Sequence, residues 1–274
     1  MNTTPESEKP LVTHSQLIRD LTGLGVAAGQ TIMLHVSVGA IGWVVGGPDV
    51  VLQALLDVLT CSGTLMIYVA REDRTEDWPD WSPERQAVYL AECPPFDPMT
   101  SRANRRWSIL TEYLRTWPGA CRSANPAASV VAVGAKAQWI TENHPLQYGY
   151  GPGSPLAKLC EAGGQVLLLG APLDTVTLLH YSEHVADVPN KRTVRYAVPI
   201  LRDGQRVWVE VEEYDTARGI VDWEGGEYFP VIVQGFLAAG KGRGDMVGAA
   251  QSYLLNAAEL HGFAVQWMEK AFTV

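Results

Sequence analysis

The segment LLLGAPLD at residues 167–174 predicts a buried strand, a turn and the start of a helix. An apolar run bounded by glycine and proline is typical of a strand, and Asp174 or the threonine after it stands where a helix should begin. Farther along this helix, Thr177, His180 and Glu183 follow one another at intervals of three residues. Neighbours at this spacing share a helix face, so the pattern predicts a hydroxyl, an imidazole and a carboxylate beside a cleft.

The imidazole and the carboxylate of this pattern suit proton transfer. A carboxylate beside a histidine orients the ring and stabilises its protonated form, which is what a general base requires. The same His-x-x-Glu spacing is also common in surface salt bridges on helices. Taken alone, His180 and Glu183 therefore leave both interpretations open.

Outward from this segment, strands and helices alternate along the chain. We predict helix 14–23, strand 30–35, helix 48–59, strand 63–69, helix 108–116, strand 129–133, helices 135–141 and 154–162, and strand 165–170. Such alternation predicts an α/β fold with a mostly parallel central sheet covered by helices on both faces. An antiparallel hairpin is expected from 195–201 and 207–211, which Asp203-Gly204 joins, and residues 247–271 should supply terminal helix and strand elements.

One long stretch, residues 71–107, has no clear period and is rich in proline, tryptophan and acidic residues. Loops of this length usually carry ligand contacts or are disordered, and tryptophans favour order. We interpret 71–107 and 195–230 as excursions that form a substrate cleft. The polar residues 1–10 are predicted to be a flexible tail, and 11–274 a single domain.

Composition narrows the class of ligand. The chain has 274 residues, of which 47% are hydrophobic, and its formal charge of -9 argues against nucleic acid and favours cationic ligands. It contains no apolar run near the length of a membrane span and no signal-peptide core, so a soluble, cytoplasmic protein is expected. Its 4 cysteines are scattered without metal-ligand spacing, so neither a zinc site nor a disulfide framework is expected.

The residues around His180 resemble the aminoglycoside 3-N-acetyltransferase family, in which a strand ending in Leu-Leu-Gly-Ala leads into Thr-x-Leu-His-x-x-Glu. The resemblance continues into VPNKR at 188–192. Other blocks agree in order along the chain: HVSVGAIG at 35–42 with Gly46-Gly47, PFDP at 95–98, RSANP at 122–126 with Ser129, and Tyr214-Asp215. Together these blocks lie within a resemblance that spans most of the chain.

This resemblance implies that acetyl-coenzyme A is the cosubstrate and locates its binding corner. The implied contacts are His35, Val36, Ser37, Val38 and Gly39 in a glycine-rich turn, together with Arg122, Ser123, Asn125 and Ser129. Many relatives have histidine where Asn125 stands. An asparagine there can hydrogen-bond the pantetheine amides or simply hold a turn, and both interpretations stay open.

The resemblance also implies a cleft for a polycationic drug. The candidate contacts are Tyr68, Glu72, Asp73, Asp97, Glu213 and Asp215. Carboxylates are suitable counter-ions for the ammonium groups of an aminoglycoside. Runs of acidic residues are also common on solvated surfaces, which is the alternative for each of these side chains.

The mechanism that the family implies is direct acetyl transfer without a metal, which gives drug resistance. His180, oriented by Glu183, would remove a proton from the 3-amino group of the 2-deoxystreptamine ring as its nitrogen attacks the thioester. Thr177 or a backbone N–H would stabilise the tetrahedral oxyanion. The partners are the drug and acetyl-coenzyme A, with neither nucleic acid nor membrane, and the protein is expected to be a monomer or a homodimer.

Three alternatives remain at this stage. A cysteine-based ping-pong route needs a thiol beside a base, and none of the four cysteines lies in a matching block. A serine hydrolase would use Ser182 or Ser37 as nucleophile, although the chain lacks the Gly-x-Ser-x-Gly turn. A non-catalytic binder of cationic small molecules would need the acidic cleft but not the glycine-rich corner.

Overall fold

The computed structural model describes residues 8–71 and 81–272, which form a mixed sheet with helices on both faces. The strands are β1 (Leu11–Val12), β2 (Thr31–Val36), β3 (Trp43–Val44), β4 (Thr64–Tyr68), β5 (Cys121–Arg122), β6 (Val130–Gly134), β7 (Gln165–Leu169), β8 (Thr193–Arg202), β9 (Gln205–Tyr214), β10 (Arg243–Val247) and β11 (Ala250–Asn256). The helices are α1 (His14–Leu24), α2 (Val38–Ile41), α3 (Asp49–Leu59), α4 (Pro83–Glu92), α5 (Ile109–Arg115), α6 (Ala137–Thr141), α7 (Pro155–Glu161), α8 (Leu178–Val185), α9 (Tyr228–Ala238) and α10 (Ala257–Ala271). Most of the predicted segments of 14–170 match these elements to within one or two residues. Residues 1–7 of the predicted tail lie outside the described residues.

The central sheet has seven strands in the order β10-β11-β7-β2-β4-β6-β5. Its only parallel pairs in the described chain are β2 with β4 and β2 with β7, so the prediction of a mostly parallel sheet is wrong. The long excursion after β4 accounts for one antiparallel pair. It brings the chain back to the sheet at the same end where β4 finishes, so the next long strand runs in the opposite direction. Tyr68 at the end of β4 is therefore opposite Val130 at the start of β6, and the two strands run antiparallel.

Alternation along the central strands creates two cores. Ile32 and Leu34 of β2 pack in one core with α1, α3 and α5, whereas Met33 packs in the other with residues of α6 to α10. Successive side chains of a strand point to opposite faces, so β2 is buried on both sides. This arrangement places α8 and α9 over the face to which Met33 points.

The predicted irregular segment 71–107 contains a helix that the sequence analysis missed. Ser82 caps α4 by accepting a hydrogen bond from the backbone N–H of Arg85, and Pro83 occupies the first helical turn. A serine followed by proline is a helix-start signal, which the nearby charges and tryptophans obscured. The long apolar helix α9 was also not predicted, although its start proves important for the site.

The predicted hairpin is present and is longer than expected. Strands β8 and β9 form a separate two-stranded sheet, paired from Thr193 opposite Tyr214 to Arg202 opposite Gln205. Asp203 and Gly204 both have positive φ, as a tight two-residue hairpin turn requires. Within the two described ranges, no helix combines the length and apolar character needed to cross a membrane.

Candidate active site

A cleft of about 750 Å³ opens where the central strands end. The carboxyl ends of β2 and β4 contribute one wall, and the residues that follow β7 contribute another. The segments 216–219 and 226–229, which precede and begin α9, close the far side. Parallel strands present their carboxyl ends at one edge of a sheet, and such edges are common ligand sites.

The turn after β7 sets the position of α8. Gly170 has a φ of 65°, and a Cβ atom there would lie 2.9 Å from the Cβ atoms of both Ala40 and Ala250. The chain then forms a short 3-10 turn at Leu173–Thr175 before α8 begins at Leu178. The helix therefore starts later than the sequence analysis predicted, because Asp174 belongs to the 3-10 turn. Thr177 is the residue that precedes α8, and it lines the cleft.

His180 and Glu183 form the hydrogen-bonded pair that their spacing predicts. Nδ1 of His180 lies 2.7 Å from Oε2 of Glu183, and the carboxylate is buried. The hydroxyl of Tyr228 donates a hydrogen bond to Oε1 of Glu183, so both carboxylate oxygens have partners. These bonds offset the desolvation of a buried carboxylate. Burial and Glu183 together raise the pKa of Tyr228 well above its usual value, so its hydroxyl remains a donor.

The His180 ring is held between two aromatic side chains. The ring centroids of Tyr150 and Phe229 lie 5.0 and 4.9 Å from that of the imidazole. Because Nδ1 faces a carboxylate, the proton of the neutral ring belongs on Nδ1 and the lone pair on Nε2. Nε2 has no hydrogen-bond partner among the described residues, and the side chain is 20% exposed at the cleft. This arrangement leaves a basic nitrogen available to a ligand.

A second histidine, His35, lines the same cleft from β2. Burial is the main cause, and the charge of His180 the second, of a lowered pKa of His35, which falls to about 4. The His35 ring is therefore neutral at physiological pH. Val36 and Ser37 also line the cleft, and the Ser37 N–H donates to the carbonyl of Leu169. Val38 and Gly39 belong to α2 and lie outside the lining.

Tyr68 is the predicted substrate contact that the structure does place at the cleft. Its hydroxyl donates to the carbonyl of Ala127 and lies 2.9 Å from the hydroxyl of Tyr150. The hydroxyl of Tyr150 must therefore be the donor to Tyr68. Burial raises the pKa of Tyr150, which keeps this network neutral.

The predicted second half of the coenzyme corner lies outside the cleft lining, and its side chains bond to the protein itself. Arg122 donates to the carbonyl of Ser101 at 2.5 Å and to Oγ of Ser129. Ser123 accepts from the N–H of Val130 and pairs with Nδ1 of His144. Asn125 accepts two backbone N–H groups and donates to the carbonyl of Pro145, which is the turn-holding arrangement.

The predicted acidic contacts are not gathered in the cleft. Asp97 accepts hydrogen bonds from the Met99 N–H and the Thr100 hydroxyl within its own turn. Asp215 is buried and accepts from the N–H of Arg218. Neither residue lines the cleft, and Glu72 and Asp73 lie outside the described residues. The acidic side chains that do line it are Asp174, Glu183 and Glu227.

Glu213 forms a second histidine–carboxylate pair one helical turn from the first. Its Oε1 lies 2.6 Å from Nε2 of His184, and Nδ1 of His184 lies 2.7 Å from the carbonyl oxygen of His180. The two side chains are 2% and 5% exposed. Both imidazole nitrogens therefore face acceptors inside the protein, which leaves none for a ligand.

The sequence analysis missed the aromatic part of the site. Tyr228 and Phe229 follow Gly225-Gly226-Glu227, and Tyr150 lies in the segment Tyr148-Gly149-Tyr150-Gly151. The available signals were the glycines on both sides of Tyr150 and the position of Tyr228 at the start of an apolar helix. Their contacts with His180 and Glu183 depend on segments far apart in sequence, so spacing alone could not show them.

The same structure bears on the alternative mechanisms. Ser182 is fully buried and its hydroxyl lies 3.0 Å from Nδ1 of His261, away from His180. Burial raises the pKa of the Cys160 thiol to about 12, which is unsuited to a nucleophile. Across residues 8–71 and 81–272, no group of three or more potential metal ligands is present.

An imidazole with a free nitrogen, a buried carboxylate behind it and an open cleft before it form an arrangement that suits an enzyme using general-base catalysis. The comparisons with known proteins agree. The family model described as aminoglycoside 3-N-acetyltransferase matches residues 33–269. The chain belongs to the aminoglycoside 3-N-acetyltransferase family.

Individual relatives are similar over nearly their whole length. The chain is 52% identical to aminoglycoside N(3)-acetyltransferase III of Pseudomonas aeruginosa over 95% of this chain and 94% of the relative. The crystal structure of aminoglycoside acetyltransferase AAC(3)-Xa superposes with a TM-score of 0.93 at 45% identity, covering 96% and 94% of the two chains. The structure described as AAC-IIIb binary with CoASH superposes with a TM-score of 0.90 at 48% identity, covering 96% and 98%.

Proposed function

We propose that this enzyme transfers the acetyl group of acetyl-coenzyme A to the 3-amino group of the 2-deoxystreptamine ring of aminoglycosides, with His180 as the general base. Acetylation removes a positive charge from the drug and so confers resistance. The observation that carries the mechanism is the free Nε2 of His180 at the cleft, behind which Glu183 holds Nδ1 at 2.7 Å.

Residues of this chain can account for every proton transfer in the reaction. Nε2 of His180 takes a proton from the amine as the amine nitrogen attacks the thioester carbon, and a C–N bond forms. Glu183 stabilises the imidazolium that results, and Tyr228 holds the carboxylate in place. The carbon–sulfur bond then breaks, and the imidazolium returns the proton to the departing thiolate. Direct transfer of this kind needs no covalent enzyme intermediate.

The cleft walls support an assignment of the two substrates. We assign the coenzyme to the corner where Val36 and Ser37 end β2, and the drug to the wall formed by 216–219 and 226–229. Asp174 and Glu227 are exposed at the cleft and suit the ammonium groups of an aminoglycoside. Thr177 lines the cleft one turn before His180 and remains our candidate for an oxyanion contact.

The remaining sequence-based expectations have indirect roles in this proposal. Arg122, Ser123, Asn125 and Ser129 would support the cleft through their internal hydrogen bonds instead of binding the coenzyme through their side chains. Asp97 and Asp215 would hold turns. A single domain over 11–274, a cytoplasmic location, and a monomer or homodimer stay predictions.

The test is a thiol-release assay with acetyl-coenzyme A and a panel of aminoglycosides. We expect stoichiometric thiol release, and NMR of the product should place the acetyl group on the 3-amino nitrogen. Drugs that lack this amine should give none. A Cys160→Ser variant serves as control and should keep full activity. Acetylation at another nitrogen, or thiol release without a drug, would contradict the proposal.

A further inference from the structure

His35 is a buried imidazole that the fold does not satisfy. It is 9% exposed, and its Nε2 is buried without a hydrogen-bond partner among the residues that the structure describes. Leaving such a group unpaired costs about 1–3 kcal/mol, so native proteins seldom keep one without a use. The residues next to His35 in β2 are apolar. An apolar side chain at position 35 would avoid the cost of an unpaired polar group.

Strand alternation directs His35 toward the reacting groups. Met33, two residues earlier in β2, packs in the core beneath α8 and α9, and His35 shares its face. His35 lines the cleft together with His180, and the charge of His180 acts on it. The two histidines therefore approach the cleft from different elements, one from the sheet and one from α8.

The protonation state of the His35 ring suits a hydrogen-bond donor and not a second base. Because burial keeps His35 neutral, it carries one N–H group and adds no positive charge beside a cationic drug or the imidazolium of His180. A neutral imidazole can polarise a carbonyl group in an enzyme active site. The neighbouring Ser37 N–H is already bonded to Leu169, so it is not free for this role.

We propose that the neutral imidazole of His35 donates a hydrogen bond to the carbonyl oxygen of the acetyl group and stabilises the oxyanion that forms as the amine attacks. This inference deepens the proposed acetyl transfer and rests on it. The electron pair of the carbonyl moves onto the oxygen facing His35 while His180 takes the amine proton. The pair returns as the carbon–sulfur bond breaks, so His35 ends the cycle unchanged.

The test compares His35→Met with His35→Gln, since these side chains have similar length and differ mainly in the donor. We expect His35→Met to lower kcat on the order of 10²-fold while KM for both substrates changes by less than about threefold. His35→Gln should recover on the order of tenfold of that loss. His35→Met should be at least as stable as the parent, because it removes an unpaired buried group. Should it fail to fold, His35→Leu gives the same donor-free comparison.

A spectroscopic measurement makes the result independent of turnover. Acetonyl-coenzyme A, a ketone that cannot be cleaved, is labelled with ¹³C at the carbonyl and bound to each variant. Its carbonyl stretch should shift to lower frequency in the parent and in His35→Gln, and should return toward the free value in the donor-free variant. An unchanged frequency, or a donor-free variant with kcat within about threefold of the parent, would overturn the inference. Because no proton is transferred here, failure of His180 as the base would leave this measurement valid.

Discussion

Helix α8 carries two histidines one turn apart that each pair with a glutamate, one on the same helix and one on β9, and the two pairs differ in what surrounds them. In the first, Nδ1 of His180 contacts Glu183 and Nε2 faces the cleft. In the second, Nε2 of His184 contacts Glu213 and Nδ1 contacts the carbonyl of His180. The open pair keeps one nitrogen for a ligand, whereas the sealed pair uses both nitrogens inside the protein. A short histidine–carboxylate contact is therefore no sign of catalysis unless a nitrogen remains free.

The largest expected effect breaks the open pair. His180→Ala removes the proposed general base and should lower turnover by about 10²- to 10⁴-fold. Coenzyme A binding, measured by calorimetric titration, should stay close to that of the parent, because we assign the coenzyme to the end of β2 and not to α8. Turnover within about threefold of the parent between roughly pH 6 and 9 would show that His180 is not the base.

Breaking the sealed pair should affect stability instead. His184→Leu leaves the buried carboxylate of Glu213 with the backbone N–H of Tyr214 but without its imidazole partner, which should cost about 3–5 kcal/mol in the free energy of unfolding. Urea denaturation of the variant and the parent measures this loss. The folded fraction should keep kcat within about tenfold of the parent. A variant as stable as the parent but inactive would reverse the assignment of the two pairs.

Another buried histidine, His144, extends the comparison of the two pairs because its hydrogen-bond partners carry no charge. Burial lowers the pKa of His144 to about 4, while its nitrogens lie near Ser123 Oγ and the carbonyl of Gly149. Between about pH 6.5 and 4 the unfolded chain binds a proton that the native ring excludes, so stability falls as pH falls, by about 3 kcal/mol in total. His144→Asn should reduce the protons taken up on unfolding in this range by about one. An unchanged pH slope would mean that the native ring accepts a proton.

A smaller effect is expected where Tyr228 supports the open pair. Tyr228→Phe removes the donor to Oε1 of Glu183 and should lower kcat by about 10- to 100-fold, equivalent to about 1–3 kcal/mol. The control is Tyr196→Phe, in the hairpin outside the cleft lining, which should keep the activity of the parent. Equal losses in both variants would point to general destabilisation instead of loss of the carboxylate's partner.

The smallest effect distinguishes the acidic side chains. Glu227→Gln should raise KM for the drug by about 3- to 10-fold and should matter less as salt rises, since the side chain is exposed. Asp97→Asn should leave this KM within about twofold, because its oxygens bond within their own turn. Steady-state kinetics at two salt concentrations measure both variants. A larger effect from Asp97 would restore the original assignment of that residue to the drug site.

The sequence predicted local features well because local rules produce them. The three-residue spacing on a helix brings His180 to Glu183, and Asp203-Gly204 forms the hairpin turn. Three residues of the block predicted to bind the coenzyme, His35, Val36 and Ser37, line the cleft at the end of β2. Strand direction was less accessible, because the return of the chain at Val130 depends on how the excursion packs and not on any period in it.

Contacts between distant segments limited the prediction of the site. Acidic residues in family blocks were expected in the cleft, yet Glu213 pairs with His184 and Asp215 caps a loop. A carboxylate's partner is decided by the segments packed beside it, which composition does not reveal. The unpaired Nε2 of His35 has the same character, since only the surrounding packing shows that this atom has no hydrogen-bond partner among the described residues.

The residues before and at the start of α9 contribute both to the cleft wall and to the support of Glu183, and this limits how a resistance enzyme can adapt. Residues 216–219 and 226–229 form the cleft wall, and Tyr228 in the same segment anchors the carboxylate of the base. A mutation selected there for a new drug that displaced Tyr228 would, in the proposed mechanism, disturb proton transfer for every drug. Broadening of the resistance spectrum should therefore arise first from exposed side chains such as Glu227, while Tyr228 stays fixed. Whether a mutation changes drug specificity alone or the rate with every drug thus depends on whether it moves the Tyr228 hydroxyl from Glu183.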